Sequence, residues 1–149
     1  MDCPVLANGD IDSAERAADV VRTLGVRGLM IGRGAIRNPW LFGQIRDAFE
    51  GRPVRMPVGR DVLAYVEALY EITSPTAFEE RLQVEKMKKY MNFLGVGAGR
   101  TAADSELFLH RIRRVSSRRD FFSVCRETLD HGDAMPLRGA PQSPPPAQT

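Results

Sequence analysis

One stretch limits what this chain can fold into: Pro4 to Trp40, PVLANGDIDSAERAADVVRTLGVRGLMIGRGAIRNPW. Pro4 to Ala7 is a short apolar run ended by Asn8-Gly9-Asp10. Asp12 and Glu15 have capping-box spacing, with Ser13 the other candidate cap. Ala14, Ala17, Ala18, Val21 and Leu24 then repeat at helical spacing, and Gly25 stands where a helix stop belongs. Gly28 to Ile31 is a second apolar strand, ended by Gly32-Arg33-Gly34. Two strands joined by one helix make a parallel βαβ unit. An Asn-Gly hairpin is excluded because an amphipathic helix, not a strand, follows it.

Both glycine turns then fall at the carboxyl ends of neighbouring parallel strands, where α/β sheets and barrels place their ligands. Glycine lets backbone come close to a ligand, and exposed N–H groups suit a phosphate. A two-stranded parallel sheet cannot stand alone, because its edges and one face stay uncovered. A complete eight-stranded barrel needs about 250 residues, and this chain has 149. The expected fold class is therefore α/β: a terminal βαβ piece of a TIM-type (β/α)8 barrel, followed by a small all-α helical bundle. Met1 is expected to be a false start or a truncation point. The alternative is a second chain that completes the sheet.

After the second turn, Asn38 is a good N-cap with Pro39 at the first helical position. Trp40, Leu41, Ile45 and Phe49 follow at helical spacing, and Gly51 stops that helix. Trp40 is expected to pack between the two parts of the chain. GRPVRMPVG, residues 51–59, reads as a linker or boundary. Beyond it the pattern is helical throughout. Helices are expected from Asp61 to Thr73, broken by Ser74-Pro75-Thr76, and from Phe78 to Leu94 with Val84, Met87, Tyr90, Met91 and Leu94 as its apolar stripe. Gly95, Gly97 and Gly99 are expected to form a flexible loop; without a Lys-Ser/Thr or a preceding strand they are no phosphate loop. Asp104 is expected to cap a helix from Ser105 to Val115. Ser116 or Ser117 opens the last helix, with Phe121, Phe122, Cys125 and Leu129 inward. Residues 133–149 are proline-rich, without periodicity, and are expected to be disordered.

Charge is unevenly spread. Residues 1–50 hold 6 Lys+Arg against 7 Asp+Glu, whereas residues 81–126 hold 11 against 4. That asymmetry suggests a basic face for nucleic acid, the plainer reading being a solvated helical surface. The two cysteines, Cys3 and Cys125, form neither a disulfide framework nor a metal motif. With no signal peptide and no apolar run long enough to cross a bilayer, the expected setting is the cytoplasm, with no metal and no membrane partner.

PVLANGDI, about twenty residues, then LMIGRGAIRNPWLF resembles the end of the flavin-binding barrel of tRNA-dihydrouridine synthases. The resemblance runs over roughly residues 4 to 130 and concerns the C-terminal part of that family. It implies a chain divided into the end of an FMN-binding barrel (1–52), a linker (53–59), a tRNA-recruiting helical domain (60–132) and a tail (133–149). It implies that Asn8, Gly9, Asp10, Gly32 and Arg33 contact FMN, mainly through backbone N–H groups, with Arg33 adding charge. From EKMKKYMNFLG onward the chain is similar to the helical domain that recruits tRNA. Lys86, Lys88, Lys89, Arg111, Arg113, Arg114, Arg118 and Arg119 are the residues placed to track a phosphate backbone. Tyr90 stands where many family members carry a histidine and is given no role.

The implied reaction reduces the C5–C6 bond of uridine in tRNA to dihydrouridine, with FMN as hydride donor and NADPH as its reductant. The family's catalytic cysteine lies in an Asn-x-Gly-Cys-Pro motif that this chain lacks. Cys3-Pro4 follows Met1-Asp2 and precedes the NGD strand, and Cys125 falls on an apolar helix face. The lysine and histidine that help hold the flavin upstream are absent too. No catalytic residue is assigned, and this chain alone is expected not to catalyse the reaction. Two rival readings are a stand-alone RNA-binding module with a vestigial barrel piece, and the end of a different FMN barrel. Asn38-Pro39-Trp40 and the basic helical tail weigh against the latter.

Overall fold

The computed structural model describes residues 3–74, 79–135 and 137–138. The first part is the expected βαβ unit. Strand β1 (Leu6–Asn8) pairs in parallel with β2 (Gly28–Met30), Leu6 opposite Gly28 and Asn8 opposite Met30. Helix α1 (Ala14–Leu24) crosses between them. Ser13 is its cap: the hydroxyl accepts from the Arg16 amide at 3.1 Å, which settles the choice against Asp12. Gly25 ends the helix at φ 60°, a left-handed conformation that glycine adopts without a Cβ penalty. The core here is small: Ile11, Ala14, Ala17 and Leu41.

The turn after β2 differs from the expectation. A separate short helix, α2 (Arg33–Arg37), comes before α3 (Leu41–Phe49). Regular helix begins at Leu41 rather than Pro39, yet Asn38 still makes the bond of a cap. Its Oδ1 accepts from the Trp40 amide at 3.1 Å, while its buried Nδ2 donates to Gln44 Oε1 at 2.7 Å. Gln44 in turn donates to the Arg55 carbonyl, tying α3 to the segment that follows.

Helices α4 (Gly59–Ile72), α5 (Glu80–Leu94), α6 (Ala102–Ile112) and α7 (Arg118–Leu129) share one apolar core. Of the expected α5 stripe Val84, Met87, Met91 and Leu94 are buried and Tyr90 only partly so; on α7 Phe121, Phe122, Cys125 and Leu129 are all buried, and α6 adds Phe108 and Ile112. Each large side chain removed from water here contributes about 1.5–3 kcal/mol. The break at Pro75-Thr76 and the helix start at Phe78 lie outside the described residues. Helix α4 starts at Gly59, two residues before the expected Asp61. Asp61 is instead the third helical residue, and its carboxylate accepts from the Val58 amide at 3.0 Å.

Helix α6 also starts earlier than expected. Thr101, not Asp104, is its cap; the Thr101 hydroxyl accepts from the Asp104 amide and the Asp104 carboxylate from the Thr101 amide. In such a reciprocal box the acid is the inner partner. Of the two candidate serines, Ser117 is the one that caps α7.

Gly95, Gly97 and Gly99 are not a loose loop. Gly95–Gly97 forms a turn of 3-10 helix packed on α6. A Cβ on Gly97 would lie 2.7 Å from Leu137 Cα, and one on Gly99 would collide with the Ser105 backbone. The glycines allow these close approaches.

Residues 133–135 and 137–138, expected to be disordered, are instead packed on the helices. Val58 forms an antiparallel bridge with Ala134. The Gly59 and Arg60 amides donate to the Asp133 and His131 carbonyls, and the Met135 amide donates to the Pro57 carbonyl at 2.7 Å. Met135 and Leu137 are buried. These are backbone bonds and two apolar anchors, which is why a composition-based reading misses them. Residues 139–149, including the proline run, lie outside the described residues. The two parts of the chain meet at α2 against α5, at Trp40 against Tyr65 (ring centroids 5.8 Å apart), and through an Arg138–Glu15 ion pair.

Candidate functional site

The parallel register brings the two glycine turns side by side. Asn8 faces Met30 in the ladder, so Gly9-Asp10 and Gly32-Arg33 leave the sheet at the same end. Between them is a cleft of about 430 Å³, lined by Asn8, Gly9, Asp10, Gly32 and Arg33, with Asp12 and Arg37 also on its wall. The five residues expected at a flavin phosphate therefore share one cavity. Gly34 locks the turns together, since a Cβ there would run into the Ile11 carbonyl. Gly9 and Gly32 face open space, so an entering group meets bare backbone at both turns.

The charge in the cleft is mixed. Arg33 donates to Asp10 Oδ1 at 2.9 Å, and both side chains are about half exposed or more. An ion pair that exposed contributes about 0–1 kcal/mol, so an anion can compete for Arg33 at little cost. Arg37 was not among the residues singled out by sequence. It ends α2, its Nε is shut off from solvent, and that nitrogen has no hydrogen-bond partner. A buried N–H with no acceptor costs about 1–3 kcal/mol. That sealed nitrogen is out of reach of a ligand, but open backbone at two glycine turns with two arginines on the wall is a set of residues that fits a phosphate. The signal was legible: the residues three and four away from Arg37 are Arg33, Gly34, Trp40 and Leu41, none of them an acid.

The cations proposed for RNA fall into separate neighbourhoods. Lys86 donates to the Thr73 carbonyl at 3.1 Å, where it complements the carboxyl end of α4. Lys88 is paired with Glu85 at 2.7 Å and its side chain is only 13% exposed. Glu85 is held below the usual carboxylate range, chiefly by that hydrogen bond. Arg111 donates to Glu127 at 2.5 Å, which with Ser123 lowers the Glu127 pKa. Arg118 donates to Glu71 and lies over the Tyr70 and Phe122 rings, 5.1 and 5.8 Å from their centroids. Arg118 and Arg119 line a second cleft, whose wall also carries Glu67, Glu71, Glu80 and Arg126.

Arg113 donates to Asn92, one helical turn on from Lys89, and Arg114 contacts His110. Among the described residues no acid forms an ion pair with Lys89, Arg113, Arg114 or Arg119. None of the four is tied up in an ion pair, although Lys89 lies near enough to act on Glu85 and Arg119 shares its cleft with three glutamates. The run RIRRVSSRR is thus continuous in sequence, but its arginines engage different partners.

Burial pushes the Cys125 thiol up to about 12, as expected of a core residue. Among the described residues no group of three His, Cys, Asp or Glu could hold a metal, and no helix is long and apolar enough to cross a membrane.

The family model for dihydrouridine synthases (Dus) matches residues 1–107. The chain is 42% identical over 72 residues to tRNA-dihydrouridine synthase B of Xanthomonas axonopodis pv. citri, a stretch covering 45% of this chain and 22% of that protein. It is 43% identical over 74 residues to the protein of the same name from Shewanella oneidensis, covering 46% and 23%. A shorter stretch, 42 residues, is 57% identical to tRNA-dihydrouridine synthase B of Xanthomonas campestris pv. campestris, covering 28% and 13%. The matched region thus spans less than a quarter of each relative. The family match takes in both glycine turns and runs into α6, and on it the chain belongs to the dihydrouridine synthase family.

Proposed function

We propose that this chain carries the C-terminal part of an FMN-dependent tRNA-dihydrouridine synthase. In this reading residues 1–52 are the end of the flavin barrel, 53–59 connect, and 60–132 form the domain that meets tRNA. One observation carries it: the two glycine turns form a single cleft with open backbone and arginine on its wall, inside the family match. Asn8, Gly9, Gly32 and Arg33 would border the FMN phosphate, with Asp10 orienting Arg33. FMN, once bound and reduced by NADPH, would supply the hydride for the uracil C5–C6 bond, the proton that completes its saturation having to come from a separate acid. This chain's residues bind and orient; none of them is assigned to proton transfer, and Cys125 is buried.

For the RNA surface, Lys89, Arg113, Arg114 and Arg119 support the reading best, because no described acid holds them in an ion pair. The test is tRNA binding to the full chain by fluorescence anisotropy across a salt series. Binding should fall steeply with salt, and Arg113→Glu should weaken it and flatten the slope by about 1. Absent or salt-independent binding would remove tRNA from the reading and leave the FMN cleft to stand by itself.

A further inference from the structure

We infer that Asn38 and Gln44 are a positioning pair: two buried amides, bonded in one fixed direction, that hold helix α2 and its Arg33 at the cleft between the glycine turns. Neither residue is on the wall of that cleft, so neither would touch a ligand. They are 1% and 5% exposed, and a buried amide is costly unless its donor and acceptor are both met. Here they are met in series. The Trp40 amide donates to Asn38 Oδ1 at 3.1 Å, Asn38 Nδ2 to Gln44 Oε1 at 2.7 Å, and Gln44 Nε2 to the Arg55 carbonyl at 3.0 Å. The series starts on a backbone N–H and ends on a backbone carbonyl, whose roles cannot be exchanged. Turning either amide over sets two donors or two acceptors face to face. At either position an ionised carboxylate, which only accepts, breaks the series.

The place of the pair in the fold makes this series a tie on the cleft. Asn38 closes α2, its amide donating to the Gly34 carbonyl at 2.9 Å, and leads into α3, its carbonyl accepting from the Leu41 amide at 3.0 Å. Helix α2 has five residues and no side-chain cap at Gly32. A helix that short does not hold itself in water, so its outside contacts set where it lies. On one side α2 packs on α5 and on the 3-10 turn at Gly95–Gly97. On the other, the amide series anchors its end to Arg55, in the segment that leads into α4. Helix α2 opens with Arg33, which lines the cleft, and Gly34 fits beneath the Ile11 carbonyl. A shift at Asn38 reaches Arg33 through little more than about one turn of helix.

That the cleft takes a phosphate rests on the function proposed above; the hold on α2 does not. The experiment is amide hydrogen exchange, read by NMR on the full chain labelled with nitrogen-15, in wild type, Gln44→Glu and Gln44→Met. It is run at about pH 7 and about pH 4.5, on either side of ordinary glutamate titration, and inorganic phosphate is then titrated into each sample. At the higher pH the new carboxylate faces the Arg55 carbonyl. Exchange at the Asn38 and Trp40 amides should quicken about tenfold or more over wild type. The Gly32 and Arg33 resonances should move with it, while α4 to α7 keep their protection. A carboxyl group facing an acceptor is easier to protonate folded than unfolded, so its penalty is full at high pH and is lost as pH falls. At the lower pH its O–H should replace the missing N–H and close the gap to about threefold or less. Gln44→Met, with no proton to gain, should stay fast at both. Asp47, Arg55 and Asp61, which share a neighbouring cavity with Gln44, are present in all three proteins and cancel in the comparison. Phosphate binding at Gly9 and Gly32 should weaken in the same pattern.

Equal exchange in wild type and Gln44→Glu at the higher pH, or a loss in Gln44→Glu that ignores pH, overturns the series. Gly32 and Arg33 unmoved in both variants, or phosphate bound as tightly by Gln44→Met as by wild type, overturns its hold on the cleft. The wild type guards against variants that fail to fold: if its Asn38 and Gln44 side-chain N–H protons exchange like free amides, the pair is not formed. A wild type that protects both, yet shows no response of Gly9 or Gly32 to phosphate, ends the anion reading of the cleft and leaves the hold on α2 standing.

Discussion

The helices of residues 59–129 hide Phe108, Phe121, Met87 and Met91 against one another, whereas the strands of residues 3–30 leave Val5, Leu6 and Met30 at least 60% exposed. Both parts carry enough apolar residues for a core. They differ in whether the partners for those residues lie within the chain. A helix needs one neighbour to cover its stripe, and α4 to α7 supply each other. A parallel strand needs two flanking strands and cover on both faces, and among the described residues β1 and β2 pair only with each other, with α1 on one side. Self-sufficiency in the helical part beside dependence in the sheet fits the proposed place of this chain at the end of a larger barrel.

Three experiments would break or sharpen that contrast. The largest effect is expected from Phe121→Ala, which empties the centre of the helical core and should cost about 3–5 kcal/mol in urea unfolding followed by circular dichroism. A loss below about 1 kcal/mol would mean the four helices do not act as one unit. A smaller effect, about 1–3 kcal/mol, is expected from Gly34→Ala, because the Ile11 carbonyl blocks the new methyl group. Its amide shifts should stay near residues 8–12 and 32–34, with hydrogen exchange in α4 to α7 unchanged; equal disturbance of the helices would erase the contrast.

The smallest effect concerns the two thiols. Exposed Cys3 should react with a chromogenic disulfide reagent at pH 8 at least about a hundredfold faster than buried Cys125. The sign for stability follows from the raised thiol pKa. Protonated Cys125 favours the folded state fully below an unfolded pKa of about 8.5. That contribution is lost progressively as pH rises toward about 12. Two thiols of equal rate would show that the helical core opens as readily as the strand.

Local chemistry was legible in the sequence, and long-range chemistry was not. Gly25 and Gly51 both take positive φ where a stop was read, and the last helix is capped by Ser117, one of the two serines read as its start. The apolar stripes of α5 and α7 are the buried ones because helical periodicity leaves one face inward whatever the partner. Helix α2 was missed because five residues are too few to show a period, and its cap, Gly32, offers no side chain. Thr101 and Asp104 have identical capping spacing read from either end. Arg37 was passed over because it stands outside the dense basic run, although the lack of an acid three or four residues away was there to be read.

The pairing of residues 57–60 with 131–135 also says something about how the chain comes to be made. Arg60 and Asp130, which form an ion pair within this clasp, are 70 residues apart. A ribosome adding about 5–20 residues each second delivers the first turn of α4 roughly 4–14 s before the segment that covers it. During synthesis that turn has only its own Asp61 carboxylate to hold it. Closing so long a loop is slow relative to forming each helix. The clasp is therefore expected to be the closing step of folding, and a chaperone would find its exposed backbone there first.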